Sequence, residues 1–249
     1  LALNTLDMPL RDQTDISVMS VGGAISHTEV LNEDAFTING SYTNLAPYMS
    51  LVPQNLSWKT NPESYNLEGL YRHSIGKRSL LKLYYTHQGS KMLVLQPKPG
   101  SEDLSLRGVK NRFNYANASI RHAFNNDWLI KGGASFSHNL DHFTVDSLKP
   151  QREESLIHLK ARVTWFATNR LQFHAGLEHF QQFFEESLDN NERGISLPLS
   201  ATHLESQYFF TERITLKAGL RAEVQQHSAK VMPRISAAYR IDNKQQVSA

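Results

Sequence analysis

The sequence predicts an all-β chain in which antiparallel strands form a portion of a transmembrane β-barrel. Three observations carry this. Apolar and polar residues alternate with period two over many segments. The stretches between segments are alternately short and long. No apolar run approaches the roughly 18 residues of a membrane-spanning helix, whereas a barrel strand crosses with about 9–11 residues, of which every second one is apolar.

The alternation is clearest from Ile157 to Trp165, where Ile157, Leu159, Ala161, Val163 and Trp165 alternate with His158, Lys160, Arg162 and Thr164. Leu171, Phe173, Ala175 and Leu177 repeat it against Gln172, His174, Gly176 and Glu178, so the two segments and the turn Ala167-Thr168-Asn169-Arg170 read as a hairpin. Pairing Trp165 with Leu171 would set Arg162 opposite His174 and His158 opposite Glu178. The same period appears in Phe36, Ile38, Gly40 and Tyr42, in Tyr65, Leu67, Gly69 and Tyr71, and in Trp128, Ile130, Gly132, Ala134 and Phe136. It returns in Ile214, Leu216, Ala218, Leu220 and Ala222, and in Ile235, Ala237, Tyr239 and Ile241. Weaker strands fill Ile16 to His27, Leu80 to His87, Arg112 to Phe124 and Ser200 to Phe210. The expected total is about eleven or twelve strands.

Short connections fall near 28–34, 74–79, 124–127, 167–170, 211–213 and 242–245; long ones fall near 43–63, 88–111, 139–154, 181–198 and 225–233. Outer-membrane barrels alternate in this way, with short periplasmic turns and long extracellular loops. The segment from Asn4 to Thr14 then belongs to the outer side. Aromatic residues near strand ends (Tyr65, Trp128, Phe136, Trp165, Tyr208 and Tyr239) suit the girdles at the two membrane interfaces. The apolar face mixes Ala and Gly with large residues, which lipid tolerates and a packed sandwich core does not.

Composition narrows the function classes. A net charge of +2 over 249 residues, with scattered Lys and Arg, argues against a nucleic-acid partner. With no cysteine, disulfides and thiolate metal sites are excluded. The start, Leu1-Ala2-Leu3-Asn4-Thr5, lacks the features of a signal peptide, and Gln246 to Ala249 stops within a strand-like segment, so both ends read as cuts. Eleven histidines include no H-E-x-x-H, and no metal or cofactor is expected. Gly76-Lys77-Arg78-Ser79 lacks the first glycine of a phosphate loop, Tyr71 standing in its place, and reads as a basic turn. Gly22-Gly23 and Gly132-Gly133 read as bulges or close packing within strands. The outward faces are apolar and offer no Ser-His cluster, so no catalytic residue is assigned and an enzyme is not expected.

Pro233-Arg234-Ile235-Ser236-Ala237-Ala238-Tyr239-Arg240-Ile241 resembles the "N-P-R-hydrophobic-S-x-x-Y" strand of TonB-dependent outer-membrane receptors, with Met232 where that pattern has Asn. Leu216-Lys217-Ala218-Gly219-Leu220-Arg221-Ala222-Glu223 is similar to the "L-x-x-G-L-R-x-E" strand preceding it. Met19 to Gly23, and Leu51 to Asn55 with Trp58, resemble Bacteroidetes-type members. The resemblance implies a barrel of about twenty-two strands, a lumenal plug domain and uptake energised through the TonB complex. Residues 1–249 would then be part of one barrel domain, with the plug and C-terminal strands outside them. The implied function is import of a scarce nutrient such as a siderophore, haem, cobalamin or glycan across the Gram-negative outer membrane. The implied partners are membrane lipid and lipopolysaccharide, the small-molecule nutrient, and the TonB complex through the plug. A passive or structural barrel of about twelve strands and a soluble β-rich binding module stand as alternatives.

Candidate ligand-binding residues follow from the polar face and the long loops. The lumen candidates are His158, Lys160, Arg162, His174 and Glu178. The loop candidates are Lys98, Arg107 and Arg112 from a basic stretch, and Phe183 and Phe184 from an acidic one.

Overall fold

In a computed structural model of the protein, the described residues are 9, 11–53, 56–98, 100, 103–189, 191–226, 228–241 and 245–248. They form one thirteen-stranded sheet in which every strand pairs antiparallel with the next in the chain. The strands are β1 (Gln13–Met19), β2 (Gly22–Leu31), β3 (Asp34–Asn44), β4 (Ser57–Ile75), β5 (Ser79–Pro97), β6 (Leu104–Ala123) and β7 (Trp128–Val145). They continue with β8 (Gln151–Phe166), β9 (Leu171–Leu188), β10 (Asn191–Phe209), β11 (Ile214–Gln225), β12 (Ser228–Arg240) and β13 (Gln246–Ser248). A single helical turn and a half, α1 (Ala46–Leu51), lies between β3 and β4.

The registers carry one apolar face across the sheet. Phe36 stands beside Tyr71, Tyr71 beside Leu83, Leu83 beside Ala118, Ala118 beside Ala134, and Ala134 beside Leu159. Two residues further along β8 the row runs through Ala161 and Leu177, and then from Ala175 through Leu204 and Leu220 to Pro233. The alternating apolar sets read from the sequence therefore all share one side. Among the described residues, nine other than glycine are buried: Ala35, Leu70, Val94, Ala201, Arg72, Thr86, Ser105, Thr164 and His174. By register, all nine lie on the opposite, polar side. Curving a sheet crowds side chains on its concave face and spreads those on its convex face, so the polar face is concave and the apolar face convex.

Among the described residues, no second layer covers the apolar face. A compact 28.3 kDa protein exposes about 11,000 Å², whereas this chain exposes 17191 Å². Leu177, Leu204, Leu220 and Ile235 are all more than half exposed. A soluble sandwich would bury them. Among the described residues, no helix is long and apolar enough to cross a membrane, so any crossing is by strands.

Aromatic side chains mark two levels of the convex face. Trp128, Trp165 and Phe173 stack in sequence near the short turns, with centroid spacings of 5.7 and 5.5 Å. Phe136 and Tyr85 lie at a second level, eight residues further along β7 from Trp128, or about 27 Å of strand. Beyond it the convex face turns polar: His87 Nδ1 is 2.8 Å from Asn114 Oδ1, and Lys91 Nζ is 2.7 Å from Glu63 Oε1. There Tyr65 covers Gly89, where a Cβ would lie 2.6 Å from its hydroxyl oxygen.

Four expectations are corrected. The strands number thirteen, because Ile16 to His27 is a hairpin turning at Ser20 and Val21, while the strand-like segment expected at Gln246 is the short edge strand β13. The extra turn reverses the chain entry: Thr14 pairs with His27, and Asp12 accepts a hydrogen bond from the Val30 amide at 2.8 Å. Asp12 and Thr14 therefore lie at the end of the short turns, opposite to the expected side, while residues 4–8 and 10 lie outside the described set. The long loops are mostly continued strand: β4 to β10 run for 16 to 20 residues, and residues 98–103, 146–150 and 189–190 suffice as connections. Strand pairing needs backbone partners rather than amphipathy, so it persists where both faces meet water and period two fades. Lastly, the β8–β9 register is shifted, as described next.

Candidate functional site

The concave face is built from the polar half of each alternating strand. Trp165 pairs with Phe173 rather than Leu171, so Lys160 faces Glu178, Thr164 faces His174, Arg162 faces Gly176 and His158 faces Phe180. This corrects the expected Arg162–His174 and His158–Glu178 ladder by two residues. Stacking of Trp165 on Phe173, and a turn longer than the minimal two residues, set the register.

Glu178 is the centre of the resulting network. Its Oε1 lies 3.0 Å from His158 Nε2 and 3.3 Å from Lys160 Nζ. Its Oε2 accepts a hydrogen bond from Arg221 Nη2 at 3.2 Å, and Arg221 Nε donates to Glu223 Oε1 at 2.6 Å. Arg221 comes from β11, two strands away. It reaches Glu178 because Ala201, between Glu178 and Glu223 in the register, is too short to intervene and lies buried beneath the pair. Beside it, His203 packs over Gly176, where any Cβ would meet the ring. His174 Nδ1 lies 3.0 Å from Thr164 Oγ1 in a buried contact.

The five lumen candidates thus share the concave face. The five loop candidates do not assemble into one site. Lys98 follows β5 and lies 3.6 Å from Asp146. Arg107 is on the concave side of β6, across from Val94 and Val145. Arg112 and Phe183 sit on the convex side, Arg112 between Gly89 and Leu140 and Phe183 between Ser155 and Ser196. Phe184 alone joins a cluster at the far rim: the Arg152 guanidinium is 5.5 Å from the Phe143 ring centre and 5.8 Å from that of Phe184. Arg152 also lies 3.8 Å from Glu186, which is bonded by Arg193. Sequence reasoning missed Arg221, Glu223 and Arg152. Arg221 and Glu223 stood on the polar half of their strand, but the link to Glu178 depends on a register across two strand pairs.

Solved structures share this architecture. The ferric yersiniabactin uptake receptor FyuA from Yersinia pestis superposes with a TM-score of 0.72 at 8% identity, over 97% of this chain and 46% of its own. The fold is that of an outer-membrane receptor's barrel wall. The barrel wall of the ferric preacinetobactin receptor BauA from Acinetobacter baumannii matches with a TM-score of 0.69 at 14% identity, over 95% of this chain and 46% of that one. The ferric-catecholate import receptor Fiu from E. coli K12 matches at 0.67 and 10% identity, over 94% and 54%. This wall spans about half the length of those receptors. No protein-family model matches the sequence, and no curated protein matches it significantly.

Proposed function

We propose that the chain is part of the barrel of a TonB-dependent receptor in a Gram-negative outer membrane, importing a scarce nutrient. The observation that carries this is the uncovered apolar convex face, running from Phe36 in β3 to Pro233 in β12 and backed by a charged concave face. Lipid satisfies the first and a water-filled lumen the second. In this reading the plug and TonB contact come from residues outside 1–249, and lipid and lipopolysaccharide surround the convex face.

Ferric complexes are the favoured nutrients over haem, cobalamin or glycans, because the receptors with the same wall are named for ferric yersiniabactin, ferric catecholates and ferric preacinetobactin. The roles of the concave-face residues, His158, Lys160, Arg162, His174 and Glu178, are to line the path and bind passing solute.

Fractionation of the parent strain and deletion of the gene together test the reading. The expected result is a full-length product in the outer-membrane fraction and loss of growth on one iron complex, with uptake abolished by a protonophore. Uptake insensitive to the protonophore would favour the passive channel. A soluble product would favour the binding module.

A further inference from the structure

We propose that the concave face carries a binding basin for small multivalent oxyanions, formed on β5 to β8 near the short turns. The register sets Arg121 of β6 beside Lys131 of β7, and Lys131 beside Arg162 of β8. Three like charges on directly paired positions repel, with their Cβ atoms about 5 Å apart. An isolated sheet does not gain from such a row; a bound counter-charge does.

No described residue supplies that charge. Among the described residues, no carboxylate lies within salt-bridge distance of Arg121, Lys131 or Arg162. On the neighbouring strand β9, Glu178 is already shared by His158, Lys160 and Arg221. Gly176, next to Arg162, has no side chain to contribute. Arg162 Nε is shielded from solvent and lacks a hydrogen-bond partner, a donor left unsatisfied inside the row.

The space is large enough to admit a small ligand. The adjoining row is Lys82, Ser119, Gly133 and Lys160, so small residues floor a depression of about 640 Å³ rimmed by cations. Guanidinium groups bind carboxylate and phosphate bidentately, and the Ser119 hydroxyl adds a neutral donor. A di- or trivalent oxyanion, free or as the anionic periphery of a metal chelate, neutralises all three cations at once. Where the wall encloses a lumen, the basin would hold an anionic solute at the periplasmic half of its path. This rests on the barrel reading above.

Titration calorimetry of the full-length protein in detergent micelles tests it, with citrate and pyrophosphate as probes and glycerol as the neutral control. The expected result is binding of both anions that weakens as salt rises. It should be at least tenfold weaker in Lys131→Gln/Arg162→Gln, and also in Ser119→Asp, which plants a carboxylate on the floor. Heat-modifiable migration on gels shows that each variant folds, and Ser119→Asp keeps the test open if the double variant does not. Equal affinity in a folded variant overturns the inference. So does absence of binding by a protein found in the outer membrane, which leaves the barrel reading intact. If the double variant instead melts lower and the parent binds neither anion, an acidic segment of the same protein fills the basin and the inference fails. A soluble product defeats the barrel reading and this one with it.

Discussion

Arg221 and Glu178 meet across an intervening strand, their side chains bridging 3.2 Å over the buried methyl of Ala201. This contact ties β9 to β11 without any direct backbone pairing between them. It also makes one carboxylate the partner of two cations and an imidazole. Glu178→Gln removes the charge that His158, Lys160 and Arg221 share, and the expected cost is about 2 kcal/mol. Lys160→Met should cost less, because the Lys160 side chain is 53% exposed against 18% for Arg221. Urea unfolding of the full-length protein in lipid vesicles measures both.

Gly176 gives the His203 ring its seat. A Cβ there would collide with that ring and approach the Ala161 carbonyl oxygen to 2.9 Å. Gly176→Ala is expected to destabilise by about 1–3 kcal/mol. Adding His203→Ala should recover part of the loss but not all of it, since the backbone oxygen cannot rotate away. A double-mutant cycle on unfolding free energies reads the difference.

Ala161 lies midway between Trp165 and Ile157 on the convex face. Ala161→Arg places a charge near the middle of the lipid layer, at an expected cost of about 2–4 kcal/mol. Arg at Lys160, exposed on the concave face of the same strand, should cost less. The two variants are compared by the fraction that folds into lipid vesicles, scored by heat-modifiable migration.

Asp146 clasps the outer ends of β6 and β7. Its Oδ1 accepts from the Leu106 amide at 2.8 Å, while its own amide donates to the Leu106 carbonyl at 2.8 Å. The Leu106 amide, and then Lys98, hold the Asp146 carboxyl below the usual carboxylate range. A carboxyl whose folded pKa is depressed stabilises above its unfolded pKa and loses that effect as pH falls through the folded value. The clasp should therefore persist at neutral and mildly acidic pH and open only below the ordinary Asp range. Amide exchange at Leu106, corrected for intrinsic rate, should match that of Asp146→Asn at low pH and be slower at pH 7.

Period two made the convex face legible in the sequence. Ile157 to Trp165 and Leu171 to Leu177 were assigned to the correct side, as were the segments around Phe36, Trp128 and Leu216. Lipid enforces that pattern on every second residue. Past the aromatic level, both sides of a strand meet water and the sequence loses its period, so Arg107 and Phe184 were taken for loop residues although they extend β6 and β9. Registers were less legible still. The two-residue shift between β8 and β9 changed every cross-strand partner while leaving each residue on its face, because even shifts preserve sidedness. The network about Glu178 needed that register and the next two, so its outer members Arg221 and Glu223 could not be joined to it from sequence. The basic row of Arg121, Lys131 and Arg162 was hidden for the same reason, its members being dispersed over more than forty residues.

The sidedness of β8 tests the account most directly. The chain has no cysteine, so single cysteines placed at each position from 157 to 165 in the full-length protein can carry spin labels without background. In lipid vesicles, the account predicts that labels at 157, 159, 161 and 163 respond to membrane-dissolved oxygen. Labels at 158, 160, 162 and 164 should respond to a water-soluble nickel chelate, with a strict period of two. Equal access to the chelate on both faces, or access with the faces exchanged, would contradict it.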